Sequence, residues 1–134
     1  MEKLLRVWDP DQLAGIEARG FIFGAALADR LSAGFIPVRK KGKLPAATAT
    51  AAYDLEYGRD ELEIHRDAVR PGQKIAIVDD LLATGGTVAA VASLLSGMEA
   101  QVVGVAVLLE LTSLQGRNRL RGLNVSSLLE DEGG

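Results

Sequence analysis

The chain has no cysteine and a single histidine, His65. Disulfides and thiolate metal sites are therefore excluded, and a metal centre built from several histidines cannot form. Aromatic residues are scarce, at 4%. No apolar run approaches the roughly 20 residues needed to cross a bilayer as a helix. The first residues, Met1-Glu2-Lys3-Leu4-Leu5-Arg6-Val7-Trp8, are broken by charge and do not read as a signal peptide. Basic excess is lacking too. The formal net charge is −3, so bulk attraction to nucleic acid is not expected. Neither G-x-x-x-x-G-K-[ST] nor G-x-G-x-x-G occurs, which removes a Walker loop and a dinucleotide fingerprint. What is present is an ordinary globular composition, 48% hydrophobic and 25% charged over 134 residues. That length suits one domain burying roughly two thirds of its unfolded surface. A cytoplasmic enzyme or binding protein is the default.

One stretch organises the rest: Lys74-Ile75-Ala76-Ile77-Val78-Asp79-Asp80-Leu81-Leu82-Ala83-Thr84-Gly85-Gly86-Thr87. An apolar β-prone run ends in two carboxylates, a short loop follows, and a helical pattern starts at Val88. Gly85 and Gly86 can adopt positive φ and let backbone N–H groups close on a ligand. Thr84 and Thr87 add hydroxyls, and the helix start adds unpaired N–H groups and partial positive charge. The sum is an anion cradle of phosphate size. Asp79 and Asp80 would repel a phosphate and are expected to face vicinal sugar hydroxyls, with or without Mg²⁺. Phosphate plus diol points to a ribose 5-phosphate moiety. Taken alone, the acidic pair is also compatible with a solvated helix cap.

In order along the chain, residues 1–8 form a short amphipathic helix, and Asp9-Pro10-Asp11 breaks it. Residues 13–16 are a short buried strand ending at Glu17-Ala18-Arg19-Gly20. Residues 21–31 are a helix, with Phe23, Leu27 and Leu31 on one face. Arg19 is thereby at the ligand edge of the sheet, although a lone arginine there is equally a surface residue. Residues 34–38 are a strand running into Arg39-Lys40-Lys41-Gly42-Lys43. In a net acidic chain this basic cluster is a candidate polyphosphate clamp, with Arg39 and Lys43 as ligands and Lys40 and Lys41 solvated. Residues 48–65 read as an antiparallel hairpin turning at Gly58-Arg59-Asp60. Its lead-in, residues 46–52, carries little that packs, which suits a mobile lid. After the central loop come a helix stopping at Gly97, a buried strand over 101–109, a loop with one helical turn over 112–121, an edge strand over 124–129 and a disordered tail over 130–134. His65 is given no role. The alternation predicts an α/β sandwich with a mainly parallel sheet.

The Asp-Asp-x-x-Ala-Thr-Gly-Gly-Thr string resembles the phosphoribosyl pyrophosphate (PRPP) motif of type I phosphoribosyltransferases. Four further blocks narrow the resemblance to the adenine phosphoribosyltransferases: Gly15-Ile16-Glu17-Ala18-Arg19-Gly20-Phe21-Ile22-Phe23-Gly24, Arg39-Lys40-Lys41-Gly42-Lys43-Leu44-Pro45, Tyr53-Asp54-Leu55-Glu56-Tyr57-Gly58 and Leu109-Glu110-Leu111-Thr112-Ser113-Leu114. It covers nearly the whole chain from Leu13 onward.

The resemblance implies the type I phosphoribosyltransferase fold as one core domain over residues 1–134, with an N-terminal segment at 1–12 and a flexible catalytic hairpin at 46–65. It implies transfer of a phosphoribosyl group from PRPP to adenine, giving AMP and pyrophosphate, with Mg²⁺ held by PRPP rather than by protein ligands. Asp79, Asp80, Ala83, Thr84, Gly85, Gly86 and Thr87 would bind PRPP or AMP. Arg19, Arg39 and Lys43 would bind pyrophosphate, Glu56 would act on the base proton, and Leu81 would touch the base. The family is homodimeric. Its members carry an upstream segment with a Phe-Pro-x-Pro-Gly-Ile stretch that hoods the base. That stretch is absent from this sequence, and residues 1–12 are too short to replace it, so an impaired base half is expected. A non-catalytic PRPP or nucleotide-binding module, or a phosphoribosyltransferase for another base, stays open beside this reading.

Overall fold

The computed structural model describes residues 1–55 and 58–133. Five parallel strands form its centre: β1 (Gln12–Ile16), β2 (Gly34–Lys40), β5 (Lys74–Leu82), β6 (Gln101–Leu111) and β7 (Val125–Asp131). An antiparallel hairpin, β3 (Thr48–Leu55) and β4 (Gly58–His65), extends one edge, giving the order β3-β4-β2-β1-β5-β6-β7. The expected type I phosphoribosyltransferase architecture of a mainly parallel sheet with flanking helices is therefore observed.

The helices separate the core into two layers. On one face, α3 (Gly86–Gly97) lays Val88, Val91, Ala92 and Leu95 against Ile36, Val38, Leu62, Ile64, Ile75, Ile77, Val105 and Val107. On the other face, α1 (Glu2–Trp8) and α2 (Arg19–Leu31) cover Leu13, Ala76, Val78 and Ala106 with Leu5, Phe23, Leu27 and Ala28. Strands buried on both faces read as continuous apolar runs, and the Val-rich β6 fits that rule. Trp8 closes over Gly104, where an added Cβ would sit 2.5 Å from the indole ring.

Chain direction reverses about β1. The β1-to-β2 crossover places β2 on one side of β1, and β5 then enters on the other. Such a switch point opens a crevice at the carboxyl ends of the two diverging strands, here β1 and β5.

Several boundaries differ from expectation. The hairpin does not turn at Gly58-Arg59-Asp60, because these residues are already in β4, opposite Leu55, Asp54 and Tyr53. β2 runs through Lys40 and β5 through Leu82, since both continue to find ladder partners beyond Val38 and Asp80. The segment after β6 holds two short 3₁₀ turns, Thr112–Leu114 and Gly116–Arg119, instead of one helical turn. Glu130 and Asp131, expected in a disordered tail, pair with Glu110 and Leu111 of β6. As expected, none of residues 46–52 in the hairpin's lead-in joins the apolar core, and its anchoring is polar. Thr48 and Thr50 donate to the buried Glu63 carboxylate, and Tyr53 lies against the α3-side core.

Candidate active site

The crevice holds a pocket of about 270 Å³. It is lined by the loop after β1 (Glu17, Ala18 and Arg19), by Lys40 at the end of β2, by Tyr53 of the hairpin and by the continuous segment from Asp79 to Val88. Ile16, Leu62 and Leu82 supply its apolar floor. Two of the three expected loops, those after β1 and β5, thus meet here, and the third contributes only Lys40.

The loop after β5 leads straight into the start of α3. Gly85 takes φ +85° and stands as the N-cap of α3. The first turn of α3 leaves N–H groups without intrahelical partners, and no side chain caps them. Ala83, Thr84, Gly86 and Thr87 surround the same space. Gly85 is dictated twice, by its φ and by room: a Cβ there would lie 2.4 Å from the Gly116 carbonyl oxygen.

The acidic pair precedes the loop inside β5 rather than at its end. Asp80 Oδ2 lies 2.7 Å from Arg19 Nε. The Asp80 backbone N–H donates to Asp79 Oδ1 at 2.8 Å. Asp79 packs under the start of α2, where a Cβ on Gly20 would meet its Oδ1 at 3.0 Å. Burial, reinforced by the neighbouring Asp80, pushes the Asp79 carboxyl up to about 7. Asp79 therefore keeps its proton close to neutrality, while Asp80 faces the Arg19 guanidinium. Such a pair offers both a donor and an acceptor to vicinal hydroxyls.

The basic run is distributed differently from expectation. Arg39 and Lys43 turn toward Glu17, with Arg39 Nε 3.4 Å from Glu17 Oε1 and Lys43 Nζ 3.7 Å from Oε2. Arg39 also stacks over the Phe21 ring at 5.9 Å. The Lys40 backbone N–H donates to Glu17 Oε1 at 2.7 Å. Burial pushes the Glu17 carboxyl upward, but the Lys40 amide and the charges of Lys43 and Arg39 outweigh it and hold it below the ordinary range. Lys40 is exposed as expected and also borders the pocket, 3.7 Å from Asp60 Oδ2, while Lys41 pairs with Glu61 at 3.0 Å. The readable signal was strand alternation: Ile36, Val38 and Lys40 share one face of β2, and the strand simply runs two residues further than Val38.

Tyr53 was also passed over as a site residue. Its hydroxyl lies 3.4 Å from Asp60 Oδ2, and burial with the Asp60 charge raises its pKa. Leu81 lines the pocket as expected. Glu56, the candidate for the base proton, lies outside the described residues. Among the described residues no group of three His, Asp or Glu side chains is arranged to hold a metal ion. None of the described helices is long and apolar enough to cross a membrane.

A family model described as "Phosphoribosyl transferase domain" matches residues 1–128. The chain belongs to the phosphoribosyltransferase family. Within it, the chain is 58% identical over 120 residues to the adenine phosphoribosyltransferase of Clostridium perfringens, covering 90% of this chain and 70% of that protein. The crystal structure of adenine phosphoribosyltransferase from Thermoanaerobacter pseudethanolicus superposes with a TM-score of 0.91 at 51% identity, over 97% of this chain and 78% of that one. The Saccharomyces cerevisiae adenine phosphoribosyltransferase, solved with an imino-altritol bisphosphate and adenine, gives 0.89 at 42% identity, over 96% and 72%. Among phosphoribosyltransferases, then, the chain's similarity lies with those that use adenine.

Proposed function

We propose that this phosphoribosyltransferase is an adenine phosphoribosyltransferase of purine salvage, joining adenine to the 5-phosphoribosyl group of PRPP to give AMP and pyrophosphate. One observation carries the reading. A glycine-led helix start with free N–H groups and a pair of aspartates line a single pocket at the sheet's switch point.

In this reaction a ring nitrogen of adenine forms a bond to the ribose anomeric carbon as that carbon's bond to pyrophosphate oxygen breaks. The leaving oxygen takes the electron pair, and the base loses a proton. Positive charge gathers on the ribose and negative charge on the departing group, so the protein's part is electrostatic and positional. The backbone N–H groups from Ala83 to Thr87 hold the 5′-phosphate. Asp79 and Asp80 orient the ribose hydroxyls and lie near the carbon that becomes cationic. Arg19 and Lys40 meet the pyrophosphate, with Arg39 and Lys43 behind them shaping the Glu17 loop. Leu81 borders the base, and Glu56 takes its proton. The β3–β4 hairpin borders the pocket through Tyr53 and Leu62 and helps exclude water.

Magnesium would enter on the oxygens of PRPP, since the pocket's two aspartates, Asp79 and Asp80, are assigned to the ribose hydroxyls. When bound it supplies neutralisation of the pyrophosphate charge. The reading extends to a cytoplasmic homodimer. Exposed Val7, Ile22, Leu128 and Leu129 offer apolar surface for self-association, which light scattering tests.

The decisive assay supplies adenine, PRPP and Mg²⁺ and follows AMP and pyrophosphate together. Equal accumulation of both products is the expected result. Pyrophosphate without AMP would mean hydrolysis, and no product at any protein concentration would contradict the proposal. Guanine, hypoxanthine and uracil in competition should leave AMP as the sole nucleotide.

A further inference from the structure

The block Leu109 to Leu114 was matched by resemblance alone, and the reaction described above gives it no task. Its Glu110 is the most deeply enclosed carboxylate among the described residues, with 4% exposure. It sits on β6 directly beside Leu82, the last residue of β5 before the phosphate loop. Arg117 grips it with two nitrogens: Nε donates to Oε1 at 3.0 Å and to Oε2 at 2.9 Å, and Nη2 to Oε1 at 2.8 Å. The Ser127 hydroxyl donates to Oε1 at 3.0 Å, and Arg117 Nη1 donates to the Val125 carbonyl at 3.0 Å. The 3₁₀ turn Gly116–Arg119 is thereby tied to both β6 and β7.

That turn lies directly behind the phosphate loop. A Cβ on Gly116 would sit 2.4 Å from the Ala83 carbonyl oxygen and 3.2 Å from the Gly85 nitrogen. A Cβ on Gly85 would sit 2.4 Å from the Gly116 carbonyl oxygen. Two glycine backbones are thus in contact with no side chain between them. Just past the turn, Leu120 is buried in the α3-side core, and an Arg119 nitrogen comes within 3.4 Å of where a Gly86 Cβ would be. The loop's shape is set by the surface it leans on.

We propose that the Glu110–Arg117 pair positions the phosphate loop, by holding the Gly116 turn against Ala83 and Gly85. The inference rests on the phosphoribosyl reading of the pocket. Glu110 and Arg117 are positioning residues: neither lines the pocket, and both act through the loop. The bidentate geometry matters, because a lysine in place of Arg117 keeps the charge but loses the fork.

Calorimetry with two separate probes tests this. Ribose 5-phosphate reports the loop, and inorganic pyrophosphate reports the Arg19 and Lys40 side. Arg117→Lys and Glu110→Gln should weaken ribose 5-phosphate binding by about 10- to 100-fold, the range seen when a supporting contact shifts a binding group. Pyrophosphate affinity should stay within about twofold, and steady-state kinetics should show a raised KM for PRPP larger than any fall in kcat. A merely structural pair would weaken both probes together or lower only the melting temperature. Either of those results would overturn the inference. If Glu110→Gln fails to fold, Arg117→Lys and Ser127→Ala carry the test, since Arg117 is half exposed and Ser127 contributes one bond. Failure of the unmutated protein to bind ribose 5-phosphate at all would overturn the phosphoribosyl reading itself, and this inference with it.

Discussion

Arg19 Nε and Asp80 Oδ2 lie 2.7 Å apart across the crevice, so the group assigned to pyrophosphate and the group assigned to the ribose hydroxyls face each other. The guanidinium is 73% exposed, and such pairs contribute only about 0–1 kcal/mol to stability. The proposed function has PRPP part this pair, with Arg19 turning to pyrophosphate and Asp80 to the ribose hydroxyls. Asp80→Asn should therefore raise the KM for PRPP by at least roughly tenfold while moving the unfolding free energy by less than about 1 kcal/mol. Kinetics and a denaturant melt on the same preparation check both. A large stability loss with unchanged PRPP kinetics would show that the pair is architectural.

Asp79 gives a pH signature. Its carboxyl is raised from 3.8 to about 7 by burial and by Asp80. The folded state therefore binds a proton that the unfolded state has lost between about pH 4 and 7. Its stabilising contribution is complete below pH 4 and disappears as pH rises through 7. The slope in that window is at most about 1.4 kcal/mol per pH unit. Glu17 and Glu110, with lowered values, act oppositely and only at lower pH. Melts of the unmutated protein and of Asp79→Asn, taken from pH 4 to 8, should differ by a term that falls with pH in the unmutated chain. A flat difference would contradict the assignment.

Glycine at position 85 answers both to φ and to contact. Gly85→Ala would place a methyl 2.4 Å from the Gly116 carbonyl, so the loop must move. A loss of about 2 kcal/mol or more is expected, with activity reduced further because the cradle is displaced. Gly42→Ala is the control. Gly42 also has φ +85° but meets nothing within 4 Å, so only the conformational cost of about 1 kcal/mol should appear, with PRPP kinetics nearly unchanged.

Lys40 ends β2 and borders the pocket, whereas its neighbour Lys41 lies just past the strand and pairs with Glu61. Lys40→Ala should raise the KM for PRPP and weaken pyrophosphate inhibition by about tenfold, whereas Lys41→Ala should leave both within about twofold. Product-inhibition kinetics separates them. Equal effects would mean that bulk charge, not placement, matters.

The parts of the pocket whose placement was legible in the sequence are those encoded locally. Asp79 to Thr87 is a strand, a glycine loop and a helix start in one segment, and its residue types state its chemistry. Arg19 followed from the same strand-to-helix logic. What the sequence hid depends on contacts distant along the chain. Strand pairing with Leu62 carries β2 on to Lys40 and turns Arg39 toward Phe21, which no local pattern reveals. Gly58 looked like a turn former, yet it sits opposite Leu55 in the ladder. Gly116 looked like a loop glycine, and its role appears only where Ala83 and Gly85 touch it. Glu110 could be seen as a carboxylate ending a buried strand, but its partner Arg117 is fixed by the turn that follows.

The most direct measurement is a crystal structure grown with AMP. The 5′-phosphate should lie on the backbone N–H groups of residues 84–87, with the ribose hydroxyls against Asp79 and Asp80 and the Arg19–Asp80 pair opened. An empty pocket with AMP bound elsewhere would contradict the account.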